Sequence, residues 1–526
     1  MTTIDASDFD FDVAVVGYGP VGQTTAALLG QYGHRVLVIE RHLQPYPLPR
    51  AVGFDGEVRR IFHRLGMDAD IETETVPVDK YRWFGADGNP ALEIDFSAAH
   101  PSGWATSYLF YQPAIEHALD RAARRHASVR VERGWEVQRV TQSPDHVQLD
   151  LLPTNSTESP SADRPRTVNA RWVIGADGAH SIVRSSSTIS LDDFGFSENW
   201  LVVDIRPHDI SAFKELPRLA QLCDPNRPSA MIANGRTHRR WEFMLLEGED
   251  ASDFTEQRVW QLLEPHATPD TATLVRHTIY QFRSLSAQTL RDNRILLAGD
   301  SAHLMPPFMG KGMCSGIADA ANLAWKLDLV LRALAPPQLL DSYTLERKPL
   351  NDTAIQQSLL MGQHSCILDP AQAARRDAAL RAGAVPPTPP FPEILDGICC
   401  RATENRMSGA YAIQPLLRTP AGASWCDDLT GPAFALITTV GHPASSLGPK
   451  RTQFLETIGT HLITLDPDQP SHYGDIDGRL SHWLLQNAVT AVLIRPDGYT
   501  FGSASDSHSL RRLVDQLRTQ LGGPSD

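Results

Sequence analysis

The hexapeptide Gly17-Tyr18-Gly19-Pro20-Val21-Gly22 constrains this chain more than any other feature. It follows an apolar run, Phe11 to Val16, and opens a segment of helical spacing, Thr24 to Gln31; a second apolar run rich in branched residues, Arg35 to Glu40, comes next. Strand, glycine turn, helix and strand in that order predict a right-handed parallel βαβ unit. In such a unit Gly17 permits the tight turn, Gly19 lets a pyrophosphate approach the backbone, and Gly22 lets helix and strand pack closely. The helix N-terminus, beginning at Pro20, offers free N–H groups and a favourable dipole to phosphates. Glu40 ends the second strand 23 residues after Gly17, where a carboxylate can accept from ribose hydroxyls. Its charge would repel a 2′-phosphate, so the expected first ligand is FAD or NAD, not NADP.

Two later segments separate those alternatives. Ile174-Gly175-Ala176-Asp177-Gly178-Ala179-His180-Ser181 and Leu296-Leu297-Ala298-Gly299-Asp300-Ser301-Ala302-His303 each place an aspartate beside a glycine at the end of a short apolar run. The second continues through Met305-Pro306-Pro307-Phe308-Met309-Gly310-Lys311-Gly312-Met313 into a long helical pattern, Met313 to Arg332. A carboxylate aimed at ribityl hydroxyls, then a glycine turn opening a helix, suits a flavin, whose reduced anion the helix N–H groups would stabilise. Asp177 by itself would serve equally well as a helix-capping or turn residue.

Composition narrows the class. At 526 residues the chain is too long for one ordinary core, so two or three domains are expected. A formal charge of −14 makes it a poor non-specific ligand for nucleic acid or anionic membranes. No apolar run approaches the roughly 20 residues of a membrane span, and the acidic start MTTIDASDFDFD is unlike a secretory signal. Six cysteines without a CxxC pair exclude a disulfide framework and thioredoxin chemistry, and no HxH or HxxxH pair is placed for a metal. A cytoplasmic protein without a metal is the expectation. Ile115 to Arg125 reads as helix and Val129 to Val140 as strand; residues 153–167 read as a solvent loop, 191–283 as an antiparallel layer, and Gly383 to Pro392 as a linker.

Together the glycine fingerprint, IGADGAHSIVR and AGDSAHLMPPFMGKGMCSGIADAANLAWKL resemble the class A FAD-dependent aromatic hydroxylases, the para-hydroxybenzoate hydroxylase fold. PRAVGFD from Pro49, QLCDPNRP from Gln221, RRWEFML from Arg239 and LIRPDGY from Leu493 look most like the 3-(3-hydroxyphenyl)propionate hydroxylase branch, and the resemblance spans essentially the whole chain. It implies an α/β architecture: a Rossmann-like FAD-binding domain (10–75, 111–190 and 285–382), an inserted α+β substrate domain (76–110 and 191–284), a linker (383–399) and a thioredoxin-like C-terminal domain (400–526) without redox cysteines. It implies an enzyme that uses FAD, NAD(P)H and O2 to hydroxylate a phenolic ring through a flavin hydroperoxide, a hydroxyphenylpropionate-like acid being one candidate substrate. A larger aromatic polyketide, epoxidation or Baeyer–Villiger insertion, and a dehydrogenase that inserts no oxygen are the alternatives; the absence of WxWxIP argues against a halogenase. A homodimer is compatible with this reading.

Carried onto matching positions, the resemblance gives Gly17, Gly19, Pro20 and Gly22 to the pyrophosphate and Glu40 to the adenosine ribose, with Arg41 among the cofactor-binding residues. Arg50 falls to the phosphates or ribityl chain, Gln112 to the ribityl from the substrate-domain side, and the backbone of Val137 to the adenine. Asp177 and Gly178 would touch FAD and help place the nicotinamide nucleotide, and Asp300 would bind the ribityl. Pro307, Gly310, Lys311, Gly312 and Met313 would line the isoalloxazine. Asp55 stands in a loop where a neighbouring branch has its phenol-ionising carboxylate. Lys311 replaces the glutamine usual in this branch, and Ala318 replaces an arginine. His303 is expected to be structural, bonded to backbone, and Cys314 a packed small residue. Lys326, Asp328 and Arg332 on the long helix are expected on a solvated face.

Overall fold

The computed structural model describes residues 9–154, 165–264, 266–384, 393–401, 405, 407–466 and 473–523. The first sheet has eight strands, five of them parallel in the order Ile295–Leu297, Arg166–Gly175, Phe11–Val16, Val36–Glu40 and Val129–Arg133, with Arg291–Asp292, Trp135–Gln142 and Val147–Pro153 added antiparallel. In the inner strands the runs of Val, Ile and Leu are buried on both faces, the pattern that a parallel sheet covered on two sides requires. Helix Pro20–Gln31 packs against the sheet and against helix Gly312–Leu331, so the two glycine-opened helices lie side by side. The long strand read as Val129 to Val140 is two strands, Val129–Arg133 and Trp135–Gln142, broken by Gly134 at φ +79°. Residues 155–164 of the expected solvent loop, and 385–392 of the expected linker, lie outside the described residues.

The second sheet has eight strands and is dominated by two long antiparallel ones, Leu191–Pro207 and Ala272–Ala287. One face of the former, Leu201, Val203 and Ile205, packs with Val259 and Leu263 of helix Glu256–Leu263. The other face turns to the first sheet's domain. Helices Asp341–Ser365 and Pro370–Arg381, which no expectation anticipated, follow the long helix.

The C-terminal unit has a four-stranded sheet in the order His461–Thr464, Ala435–Thr438, Ala491–Ile494, Thr500–Ala504, the first pair parallel and the others antiparallel. Helices Pro443–Leu447 and Pro449–Thr457, Arg479–Gln486 and Ser507–Gln520 complete a βαβαββα order, which is thioredoxin-like. Its cysteines, Cys399, Cys400 and Cys426, are free and buried. The described end of the expected linker packs with this unit: Ile394 N donates to Gly409 O at 2.9 Å.

Candidate active site

The first strand leads into Gly17, held at φ +95° with Ala176 O so close that a Cβ would lie 2.4 Å from it. A Cβ on Gly22 would lie 2.1 Å from Gly17 O, whereas nothing stands within 4 Å of the corresponding point on Gly19. Two glycines therefore close the turn and the third leaves open ground over the helix entrance. Pro20 occupies the first turn, no side chain caps the helix and no acidic residue competes there. That combination leaves unpaired N–H groups for an anion and fits a pyrophosphate. Glu40 Oε2 accepts from Tyr18 N and Oε1 from His42 N, both at 2.8 Å, so the second strand's carboxylate also fixes the glycine loop. Arg41 is exposed and Val137 is buried in strand Trp135–Gln142.

A neighbouring loop is gripped from two sides. Gln112 Oε1 accepts from Arg50 N and Ala51 N at 2.7 and 2.6 Å, and its amide nitrogen reaches Glu116. From the substrate sheet, Arg240 donates to Pro49 O and Arg50 O at 2.7 and 2.6 Å, and Arg276 donates to Pro49 O. Both guanidiniums also bond Asp204, which has no exposed side chain. The arginines join the loop to residues 190 to 227 positions away, and no local sequence signal announced Asp204. The Arg50 side chain stacks over Tyr46.

The two distal aspartates differ. Asp177 accepts from Ser181 Oγ at 2.5 Å and Val183 N at 3.2 Å, which is the capping role its sequence context allowed, beside Gly178 at φ +82°. Asp300 is exposed, and among the described residues no hydrogen bond engages its carboxylate. Beyond it the chain makes a short turn, Pro307–Met309, and Gly310 takes the left-handed conformation at φ +62°. Lys311 then sits at the N-cap of helix Gly312–Leu331, with open space over Gly310 and only Met305 Cγ, at 3.7 Å, near Gly312. An unbonded carboxylate followed by an open glycine shelf at a helix entrance fits a ribityl chain and a flat ring.

Asp55 is not a loop residue. It closes strand Gly53–Asp55 and caps helix Gly56–Arg64, accepting from Val58 N at 3.0 Å. Lys311 Nζ meets its other oxygen at 2.5 Å. Burial opposes both charges, but their mutual attraction overrides it, holding Asp55 below the usual carboxylate range and Lys311 above the usual lysine range. Next to them Glu57 accepts from Tyr499 Oη of the C-terminal unit at 3.1 Å. Burial and then the charge of Asp55 push Glu57 up to about 7.

Beneath the shelf is a buried network that the sequence did not reveal. Asp319 accepts from Arg347 Nε at 2.8 Å, from Asn351 and from Gly299 N, and faces His303 Nε2 at 2.7 Å. His303 is thus structural, but its partner is a carboxylate and not backbone. Cys314 is buried, as a packed residue should be. The solvated-face expectation is overturned for Lys326 and Asp328, which are fully covered and paired with Glu346 and His34 respectively. The C-terminal unit and the first domain's own helices cover the side of the helix that its apolar stripe leaves open.

Residues 10–358 match the FAD binding domain family profile, and residues 409–520 match the HcaD C-terminal domain. The chain belongs to the FAD-dependent aromatic hydroxylases. It is 35% identical to a probable NADH-specific resorcinol 4-hydroxylase of Rhodococcus jostii, over 96% of this chain and 94% of that one. It is 31% identical to a 3-(3-hydroxyphenyl)propionate/3-hydroxycinnamic acid hydroxylase of Shigella sonnei, over 95% and 93%. The flavin-dependent monooxygenase PieE, solved with FAD and substrate, superposes with a TM-score of 0.81 at 22% identity, covering 98% of this chain and all of PieE. The hydroxylase is therefore a flavin-dependent monooxygenase with FAD as its cofactor and a nicotinamide nucleotide as reductant. Among the described residues no helix is long and apolar enough to cross a membrane, and no cluster of His, Cys, Asp and Glu is placed for a metal.

Proposed function

We propose that this hydroxylase uses NADH and O2 to place one hydroxyl on a small phenolic ring, ortho or para to an existing one. The likeness along nearly the whole chain to two hydroxylases of small phenols carries the reading, and one of them is named for NADH. Bound FAD would supply hydride acceptance and delivery of one oxygen atom from O2. Gly17, Gly19, Pro20 and Gly22 would hold its pyrophosphate, Glu40 and Arg41 the adenosine ribose, and the Val137 backbone the adenine. Arg50, on the loop that Gln112 braces, would meet the phosphates, and Asp300 the ribityl hydroxyls. Asp177 and Gly178 would border the nicotinamide approach. Pro307, Gly310, Lys311, Gly312 and Met313 would line the ring.

Asp55 is the residue that would act on substrate. Lys311 keeps its carboxylate ionised, so it is too weak a base to remove a phenolic proton outright. It would accept the phenol's hydrogen bond and raise the ring's electron density. Phe308, against Phe196 and Trp200 of the substrate sheet, would form an apolar wall that excludes water. A cytoplasmic enzyme working as a homodimer accords with this reading. Turnover of phenols with NADH under isotopically labelled O2 tests it: one labelled atom per product is expected. NADH consumed with only peroxide formed, or product without label, would defeat it in favour of an oxidase or a dehydrogenase.

A further inference from the structure

The charge balance of the substrate sheet speaks to what kind of phenol the site takes, an inference that rests on the hydroxylase reading above. Along strand Leu191–Pro207, Leu201, Val203 and Ile205 point into the core beneath helix Glu256–Leu263. Trp200, Val202 and Asp204 therefore point the other way, and Trp200 meets the Phe308 ring of the glycine-shelf turn with centroids 5.7 Å apart. Register extends that face sideways: Trp200 pairs with Tyr280 and Met244, Val202 with Thr278 and Glu242, and Asp204 with Arg276 and Arg240. A ring seated between the glycine shelf and this sheet would meet these side chains.

Every buried cation on the face is already committed; the exposed Arg206 lies beyond Asp204, at the end of the strand away from Trp200. Arg240 spends its donors on both oxygens of Asp204, on Pro49 O and on Arg50 O, and its remaining edge stands 3.6 Å from Glu242. Arg276 spends its donors on Asp204, on Pro49 O and on Tyr280 Oη at 3.0 Å. Two arginines thus face two carboxylates, Asp204 and Glu242, and across the gap Lys311 faces Asp55. These three cations and three carboxylates balance, and Glu57 beside Asp55 brings no further cation. Arg50, stacked on Tyr46, belongs to the cofactor loop and acts on Asp300. Among the described residues of this face and the shelf, no buried cation is left to receive a substrate carboxylate, and a desolvated carboxylate without a partner is strongly disfavoured. The half-buried Tyr280 hydroxyl accepts from Arg276 and keeps its own proton to donate. Thr278 beside it is neutral.

We infer that the substrate is an uncharged phenol, recognised by neutral groups such as the Tyr280 hydroxyl, and that phenolic carboxylic acids are discriminated against. The test uses the FAD-loaded full-length enzyme with NADH and three phenols: resorcinol, 3-(3-hydroxyphenyl)propionate and the primary amide of that acid. The amide matches the acid in size and differs in charge. Labelled-oxygen incorporation gives kcat/KM, and equilibrium dialysis gives Kd without turnover. The amide is expected to exceed the acid by at least about 100-fold in kcat/KM and to bind more tightly. In Glu242→Gln, which leaves Arg240 undercompensated, the ratio should narrow toward the acid. An acid that matches or exceeds its amide in both measurements overturns the inference while leaving the hydroxylase reading intact. Failure of all three phenols to take up labelled oxygen would remove that reading, and this inference with it.

Discussion

Lys311 Nζ lies 2.5 Å from Asp55 Oδ2, joining the entrance of one helix to the entrance of another across 256 residues of sequence. The pair is neutral as a unit, so neither charge acts alone on a cofactor seated over the glycine shelf. Lys311→Met would leave the Asp55 carboxylate uncompensated and oppose the negative charge of reduced flavin. One unit charge about 8 Å away at an effective dielectric near 20 is worth about 2 kcal/mol. The partial exposure of Lys311 screens that to roughly 1 kcal/mol, or about 20 mV for two electrons. Redox titration should show the potential falling by that amount in Lys311→Met and returning when Asp55→Asn is added. A lowered potential that the second change does not restore would mean the lysine acts independently of its partner.

Glu57 gives a pH dependence of definite sign. The folded protein holds a proton there up to about pH 7, whereas the ordinary value is 4.5. Between those values the folded state binds more protons than the unfolded, so this group's contribution to stability falls as pH rises through the window. Above it, wild type carries a buried charge that Gln would not, and Tyr499 can still donate to the amide oxygen. Glu57→Gln should therefore melt a few degrees above wild type at pH 8 and close to it at pH 5. Equal melting temperatures at both would show that Glu57 ionises as freely folded as unfolded.

Asp204 is the hub of the grip on the cofactor loop. Removing its charge strands Arg240 and Arg276 in a site without solvent, a change that typically costs about 3–5 kcal/mol. Asp204→Asn should lower the melting temperature and, because both arginines hold the Pro49–Arg50 carbonyls, should also speed FAD loss on dilution. Arg206→Ala, two residues along the strand but exposed, is the control and should do neither. A destabilised Asp204→Asn that retains FAD like wild type would confine Asp204 to folding.

These three sites mark where the sequence stopped being readable. Glycines with no room for a Cβ, Gly17 and Gly22, leave a local signature, and the apolar runs beside them declare a parallel sheet. Asp300 could be singled out as a candidate for the same reason, standing in a short motif. The pairing of Lys311 with Asp55, and of Asp204 with two arginines, depends on strands and helices that meet only after folding. Helical periodicity also misled at Lys326 and Asp328: a charge opposite an apolar stripe reads as solvated unless a second unit covers it. Cover came from segments such as Arg495 and Asp497, about 170 residues away.

The buried thiols of the C-terminal unit should be dispensable to electron flow. Burial raises the Cys426 thiol to about 12 and shifts Cys399 upward, so neither is a thiolate at neutral pH. Cys400 Sγ is spent on Gln516 Oε1 at 2.8 Å. Replacing Cys399, Cys400 and Cys426 by Ser should leave turnover per bound FAD largely unchanged, with at most a modest drop in melting temperature. Lost turnover in a folded, FAD-replete triple variant would reveal a redox role.

The C-terminal unit is held by a charge cluster with no exposed member. Arg495 contacts Glu346 at 2.6 Å and Asp497 at 2.5 Å, Lys326 contacts Glu346 at 2.8 Å, and Trp325 and Asn322 donate to Asp497. Two cations balance two anions. Arg495→Met leaves one negative charge in excess, which should cost several kcal/mol, and it removes the donor to Ile398 O, at 2.7 Å, that ties down the described end of the linker. Adding Glu346→Gln restores neutrality without restoring any bond to Arg495. If uncompensated charge dominates, the double variant should melt well above the single one; if lost hydrogen bonds dominate, it should melt at the same temperature or lower. Calorimetry separates these outcomes. We expect partial recovery, with the single variant showing an early transition as the C-terminal unit comes away from helix Gly312–Leu331. A double variant no more stable than Arg495→Met would show that bonds, not charge balance, fasten the two units.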